Sequence, residues 1–301
     1  MQRIMLMCVL FIIQDTIMAC DICSCTSMGN SLGILPKFNT HFIGLRHTNR
    51  SFQSFHPVSI LQPEGSVSNE NYKTTELWGR WVPHERIQAF AFIPFNTFSK
   101  KTNQTNENLS GLGDISLLLN YRVFKTNDTS KSRWHQALYS GFGIKLNTGS
   151  YNPEYPNNFQ LGSAAKDLFF NLTHTIRYSK LGFQSEANYR KNGENQYKYR
   201  LGEKYSLAGR LFAWLDKGRF SFLPYLGYSF EQAKPDELKG IFQDYTGSNT
   251  ELLSIGAECF IGNIQCGVKA SFPQTNYQTQ GTLKTLNQFQ FQILYHFNSK
   301  N

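Results

Sequence analysis

Long apolar runs are missing from this chain. Beyond its first 19 residues, nothing approaches the roughly 20 consecutive apolar residues that a membrane helix needs, so a bundle of lipid-spanning helices is excluded. Charge is scarce as well, at 17% of 301 residues. The formal net charge is +9, yet the Lys and Arg residues stand singly and gather into no run or helix face, which argues against nucleic acid as a partner. Helical spacing is almost absent. So are the short motifs of catalysis: there is no G-x-S-x-G, no H-E-x-x-H, no phosphate-binding glycine loop and no G-x-G-x-x-G opening a helix. The seven histidines are dispersed, and His174 lies in mid-strand on an apolar parity. No enzyme is read from this sequence; a Ser/His/Asn triad of the kind found in an outer-membrane phospholipase is the enzymatic alternative.

Aromatic residues, by contrast, are abundant at 15%, and alternation is nearly everywhere. In "NQFQFQILYHF" (287–297), Phe289, Phe291, Ile293, Tyr295 and Phe297 share one parity, while Gln288, Gln290, Gln292 and His296 share the other. Successive side chains of a strand point to opposite faces, so one face is apolar and the other rich in amides. Period-two patterning predicts twelve strands at 38–53, 73–82, 87–97, 113–124, 135–146, 166–178, 181–190, 199–214, 220–231, 249–261, 264–272 and 286–297. The connections alternate between long (54–72, 98–112, 147–165, 232–248, 273–285) and short (83–86, 179–180, Gly262-Asn263), with 125–134 the exception on the short side. Outer-membrane barrels combine short turns at one end with long loops at the other. The expected fold is therefore an all-β, transmembrane, antiparallel up-and-down barrel of about twelve strands, with outer-membrane lipid against its apolar parity and a wet lumen inside. A soluble two-sheet sandwich gives no reason for the asymmetry of the loops.

The charges obey the same division. Arg46, Arg50, Glu76, Arg80, Arg122, Lys145, Arg177, Glu186, Arg190, Lys204, Arg210, Glu231, Glu258 and Lys269 all fall on the polar parity and are expected to line the lumen. Ten of these are basic and four acidic, which favours anionic or polar-acidic solutes; the alternative is a narrow lumen packed with cross-strand ion pairs. Trp78, Trp81, Trp134, Trp214, Tyr151, Tyr155, Tyr178 and Tyr295 lie near strand ends, where aromatic girdles are expected.

Residues 1–19 have a basic start at Arg3, an apolar core over 4–13 and Ala19 ahead of Cys20, the pattern of an export signal. "IMAC" also approximates a lipoprotein box, which would acylate Cys20. Residues 20–37 then form a cysteine-rich segment, a periplasmic extension or a lumen plug, ahead of a barrel at 38–297. Its "CDICSC" packs Cys20, Cys23 and Cys25 into six residues. That density of thiols suits copper(I) or another thiophilic metal, and a lipidated Cys20 beside a Cys23/Cys25 pair is the competing reading. Ser24 stands where a haem-attachment motif would need histidine. Cys259 and Cys266 face each other across the Gly262-Asn263 turn, as a candidate disulfide or as two small apolar residues on the lipid face.

"GLGD" (111–114) followed by "GFGIKLNTGSY" (141–151) resembles the outer-membrane barrel transporters grouped with the phenol-degradation-pathway family. That family shows G-x-G-D entering a strand and G-x-K-L-P-T-G ending the next, with Asn147 here in place of the proline. "CDICSC", "LGILPKF" and "HFIGLRHTNRSF" further resemble a Bacteroidota subset with an N-terminal Cys-Asp-x-Cys-x-Cys segment, Ser24 replacing a glycine. The likeness runs from about Cys20 to Phe297. It implies an outer-membrane channel or transporter of a Gram-negative bacterium and leaves the solute open. An even strand count would put both termini in the periplasm. The runner-up is a barrel that transports nothing and whose long loops bind a surface partner.

Overall fold

The computed structural model describes residues 32, 40–56, 66–102, 105–126, 133–155, 157, 159–244, 246–274 and 283–298. Its strands are β1 (His41–His56), β2 (Ser66–His84), β3 (Ile87–Lys101), β4 (Asn106–Leu112), β5 (Ser116–Lys125), β6 (Trp134–Lys145), β7 (Asp167–Tyr178), β8 (Leu181–Lys191), β9 (Tyr199–Arg200), β10 (Lys204–Ala213), β11 (Leu215–Lys217), β12 (Phe220–Ala233), β13 (Glu237–Leu238), β14 (Ile241–Phe242), β15 (Ser248–Ile261), β16 (Ile264–Pro273) and β17 (Leu283–Phe297). Pairing is antiparallel throughout. From β1 it passes through β2, β3, β5, β6, β7, β8, β10, β12, β15, β16 and β17, and β17 pairs back onto β1. The result is a closed barrel of twelve strands. Closure leaves no open edge, which is what hydrocarbon demands of a spanning sheet. No helix among the described residues is long and apolar enough to cross a membrane.

The predicted ladder and the observed one share every barrel strand, and the differences lie at the loop end. There β2 begins at Ser66 rather than 73, and β3 continues to Lys101. The segment 98–112, expected as a loop, is a hairpin in which Lys101 pairs with Asn106 and Phe95 with Leu112. Its "TNENLSGL" lacks an apolar face because an extension above the bilayer is wet on both sides, so alternation, the signal used to predict strands, is absent. β4 is the loop-end continuation of β5, interrupted at 113–115, and Gly113 N–H still donates to Pro94 C=O at 2.8 Å. The predicted strand 199–214 is two elements: Tyr199–Arg200 joins β13 and β14 in a separate three-stranded sheet, and the barrel strand starts at Lys204.

Parity sorts the surface. Leu226, Ile255, Val268 and Phe289 are each more than half exposed and face outward, whereas Glu258, Gln265 and Gln292 on the opposite parity are buried. Trp81, Trp134, Tyr178 and Tyr295 face outward near strand ends. Trp78 and Trp214 do not belong to that girdle. Trp78 shares the inward parity of Glu76 and Arg80 and is 1% exposed, and Trp214 packs against the interior cluster of Phe212, Leu223, Tyr225 and Phe260. Tyr151 stacks on Tyr197 in the loops. Position near a strand end does not fix the face; parity does.

Inner-face glycines make room for rings, Gly256 for that of Tyr225 among them. A Cβ on Gly143 would collide with Phe169, and one on Gly182 with Phe212. Cys259 and Cys266 are register partners on the outward face, and both are free cysteines in this structure. Counting from the two-residue turn puts them at a hydrogen-bonded position of the ladder, where bridging strains the pair.

Replacing Ile255 by Arg puts a cation on the outer face in mid-strand. We expect a loss of about 2–4 kcal/mol of stability in lipid vesicles, measured by urea unfolding, whereas Ile255→Leu should stay within about 1.5 kcal/mol of the original protein.

Candidate functional site: the barrel interior

Apolar clusters and a charged zone fill the barrel: besides the cluster of Phe212, Leu223, Tyr225 and Phe260, two more are present among the described residues. Near the loop end, Phe52, Tyr72, Phe98 and Leu283 from strands pack with Phe159 and Leu161 from the 146–166 connection, so that loop folds inward. A second cluster contains Phe42, Trp78, Phe90, Phe92, Leu118, Phe169 and Leu294. Leu32, from the segment ahead of β1, is buried in it. Cations lie over several of these rings: Arg46 over Trp78 at 4.5 Å, Arg80 over Phe42 at 5.1 Å and Arg190 over Phe169 at 5.6 Å. Such contacts allow a guanidinium to sit against an aromatic wall without a carboxylate for each charge.

The inward loop is held by one device. Lys145 Nζ donates to Asp114 Oδ2 at 2.7 Å and pairs with Asp167 Oδ2 at 2.9 Å, and it also contacts Ser163 Oγ. Asp114 accepts from Ser163 N–H at 2.9 Å and from Gly149 N–H at 2.9 Å. Thr148 Oγ1 accepts from Ile115 N–H at 2.9 Å and donates to Gly113 C=O at 3.2 Å. The segments "GLGD" and "GIKLNTG" are therefore two halves of one clamp. Its glycines are required by close approach: a Cβ on Gly149 would lie 2.8 Å from Gly162 Cα and 2.9 Å from the Gly113 carbonyl carbon.

Other charges of the predicted set pair along the wall. Arg46 Nε donates to Glu76 Oε1 at 3.1 Å, and Arg210 Nη1 to Glu186 Oε2 at 3.0 Å and Gln184 Oε1 at 2.9 Å. Glu258 accepts from Gln265 at 3.1 Å and Gln292 at 2.9 Å; Gln265 Oε1 lies 2.7 Å from His296 Nε2. Arg80 donates to the Thr40 carbonyl at 2.9 Å. Arg122 and Arg177 sit toward the turn end, the first 3.6 Å from Glu85, the second donating to Ser179 C=O at 2.7 Å and lying over Trp214. Arg50, Arg190, Lys204, Glu231 and Lys269 line two cavities of about 170 and 70 Å³ that share Arg50. His174 is on the outer parity beside Phe124.

The predicted lumen set omitted inward carboxylates. Asp114, Asp167 and Glu70 also point inside, which narrows the basic excess. Asp114 and Asp167 stand at strand starts, where alternation has barely begun; the pairing of a motif carboxylate with a motif lysine was the available signal. Outside the wall, Asp236 accepts from Tyr199 Oη at 2.6 Å and Gly202 N–H at 2.7 Å, tying the small sheet down. Burial raises its carboxyl above the ordinary range, against the lowering effect of those bonds. Cys20, Cys23 and Cys25, and with them the metal and lipidation readings, lie outside the described residues. Among the described residues no group of three or more His, Cys, Asp or Glu is placed to hold a metal.

The family profile described as "Putative MetA-pathway of phenol degradation" matches residues 50–286. An outer membrane channel from Pseudomonas putida F1 superposes with a TM-score of 0.62 at 14% identity, covering 88% of this chain and 97% of that one. The translocator domain of the autotransporter NalP from Neisseria meningitidis gives 0.47 at 12% identity, with 87% and 91% covered. No curated protein sequence matches.

The clamp makes a checkable statement. Asp114→Asn removes a buried charge partner of Lys145 and should cost about 1–3 kcal/mol locally, freeing the 146–166 loop. Limited proteolysis of the folded variant should then cut within that loop faster than in the original protein while the barrel strands stay intact.

Proposed function

The chain belongs to the family described as "Putative MetA-pathway of phenol degradation", and from that premise we propose that it is an outer-membrane channel through which small polar solutes, anions in particular, cross the barrel. Its location in the outer membrane follows from the closed lipid-facing barrel. The observation that carries the reading is the lining of the two cavities: seven cations, Arg46, Arg50, Lys145, Arg190, Lys204, Arg210 and Lys269, stand against five carboxylates, Glu76, Asp114, Asp167, Glu186 and Glu231. Rings of Arg and Lys favour anion passage.

The path is narrow. The inward loop restricts the loop end, and the burial of Leu32 supports a plug at the other end by the segment ahead of β1; in this reading both termini are periplasmic and the long loops lie outside. The same reading keeps Cys20 as a candidate for lipidation and Cys20, Cys23 and Cys25 as candidate ligands of a thiophilic metal.

In planar bilayers with a salt gradient, the full chain should conduct in small steps, with a reversal potential of the sign set by anions. Cation selectivity, or no conductance at any voltage, would remove the proposal.

A further inference from the structure

The smaller cavity, of about 70 Å³, is where the wall leaves hydrogen-bond donors unused. Most of its lining is occupied with itself. Arg210 donates to Glu186, Asn188 Nδ2 contacts Glu186 Oε1 at 3.2 Å and Ser206 Oγ at 3.3 Å, Ser254 and Ser271 share a hydrogen bond of 2.9 Å, and Arg46 is held by Glu76. Lys269, Gln290 and Thr48 differ. They are successive register partners on β16, β17 and β1, all lining this cavity, and among the described residues the side chain of none of them takes part in a hydrogen bond or an ion pair. Directly paired residues stand roughly 5 Å apart at Cβ, so an ammonium, an amide and a hydroxyl face one volume. On its other flank Lys269 meets Gly256, which carries no side chain and over which the ring of Tyr225 lies. The charges acting on Lys269 are those of Arg210, Arg50 and Arg46, with Glu231 the one carboxylate among them. Glu231 acts on Arg50, Lys204 and Arg190 as well, and makes no ion pair with Lys269. A cation set among other cations in a confined interior, without an acceptor of its own, is expensive. A bound anion removes that cost.

We infer that Lys269, Gln290 and Thr48 form a binding site for one small monovalent inorganic anion, a halide such as chloride, inside the barrel. Three features set that class. The cavity has the volume of roughly two waters, too little for an organic acid. One ammonium without a partner calls for one negative charge. Amide and hydroxyl donors hold a halide without neutralising it, so the ion leaves again, as passage through a channel requires. The inference deepens the channel reading, on which its biological purpose rests; the site itself rests on the row of donors.

The test adds chloride to the full chain in detergent, in a buffer otherwise free of halide, and reads the chlorine NMR line width. Folding of each variant is checked by heat-dependent gel mobility. The protein should broaden the chloride line, and bromide should reverse the broadening. Lys269→Gln should remove the bromide-reversible part, and Lys269→Arg should retain it. Gln290→Leu and Thr48→Val should each weaken chloride about tenfold, the effect of losing one hydrogen bond to a charged group. Lys284→Gln, on the outer parity at the loop end, should change nothing. Retention by arginine separates a charge that holds an anion from a lysine that only packs. Bromide-reversible broadening that survives Lys269→Gln, or sulfate displacing chloride as well as bromide does, overturns the site. Anion-selective conductance with broadening unchanged in Lys269→Gln removes the site and leaves the channel; broadening lost in that variant of a chain that does not conduct leaves the site and removes the channel.

Discussion

A sheet exposed to hydrocarbon has to pair every one of its backbone amides within the protein, and this constraint organises the whole molecule. Water is not there to take an unpaired N–H, and each orphan group costs several kcal/mol. The chain meets the demand by bringing β17 back onto β1, where thirteen register partners run from His41↔Phe297 to Ser54↔Leu283 around one bulge between Arg50 and Phe52. Once the ring is closed, each side chain has only two destinations. Parity assigns Ile255 and Val268 to lipid and Ser254 and Lys269 to the interior, with no further choice left to the sequence.

The interior then inherits an electrostatic problem of its own. Cations and carboxylates are confined in a space that water enters only partly, where unbalanced charge is expensive. The wall handles most of it locally, through Arg46–Glu76, Arg210–Glu186 and the sharing of Lys145 by two aspartates. Aromatic rings accept part of the rest. Arg190 over Phe169 and Arg80 over Phe42 place guanidinium groups on π faces, a favourable arrangement for a partly desolvated cation.

Most of the barrel was legible in the sequence because the solvent on each face is written into period-two patterning. The β15–β16 hairpin is the clearest instance: "ECFIGNIQCGV" predicts its turn, its register and the outward placement of Cys259 and Cys266, all of which the structure contains. Legibility failed where both faces meet water, as in β4 and the small sheet of β9, β13 and β14, since there alternation carries no energy and leaves no trace. It failed again for Trp78, whose aromatic identity pointed to a girdle while its parity pointed inside. The clamp of Asp114 with Lys145 was written in two motifs 31 residues apart, and its geometry emerges only when β5 and β6 lie side by side. The inward charges were read residue by residue from parity, but their pairing depends on which strand ends meet across the lumen. That information is held in register and loop folding rather than in any local pattern.

The division of faces is measured most directly by spin labels along one strand. In a background with the native cysteines replaced by serine, single labels at 252 to 255 and at 257 on β15 can be probed in lipid vesicles with oxygen, which concentrates in hydrocarbon, and with a water-soluble nickel complex. Labels at Leu253, Ile255 and Ala257 should collide mainly with oxygen, and labels at Leu252 and Ser254 should be shielded from it. A profile with no two-residue period, or one with the nickel complex reaching 253, 255 and 257, would contradict a barrel that turns this face to lipid.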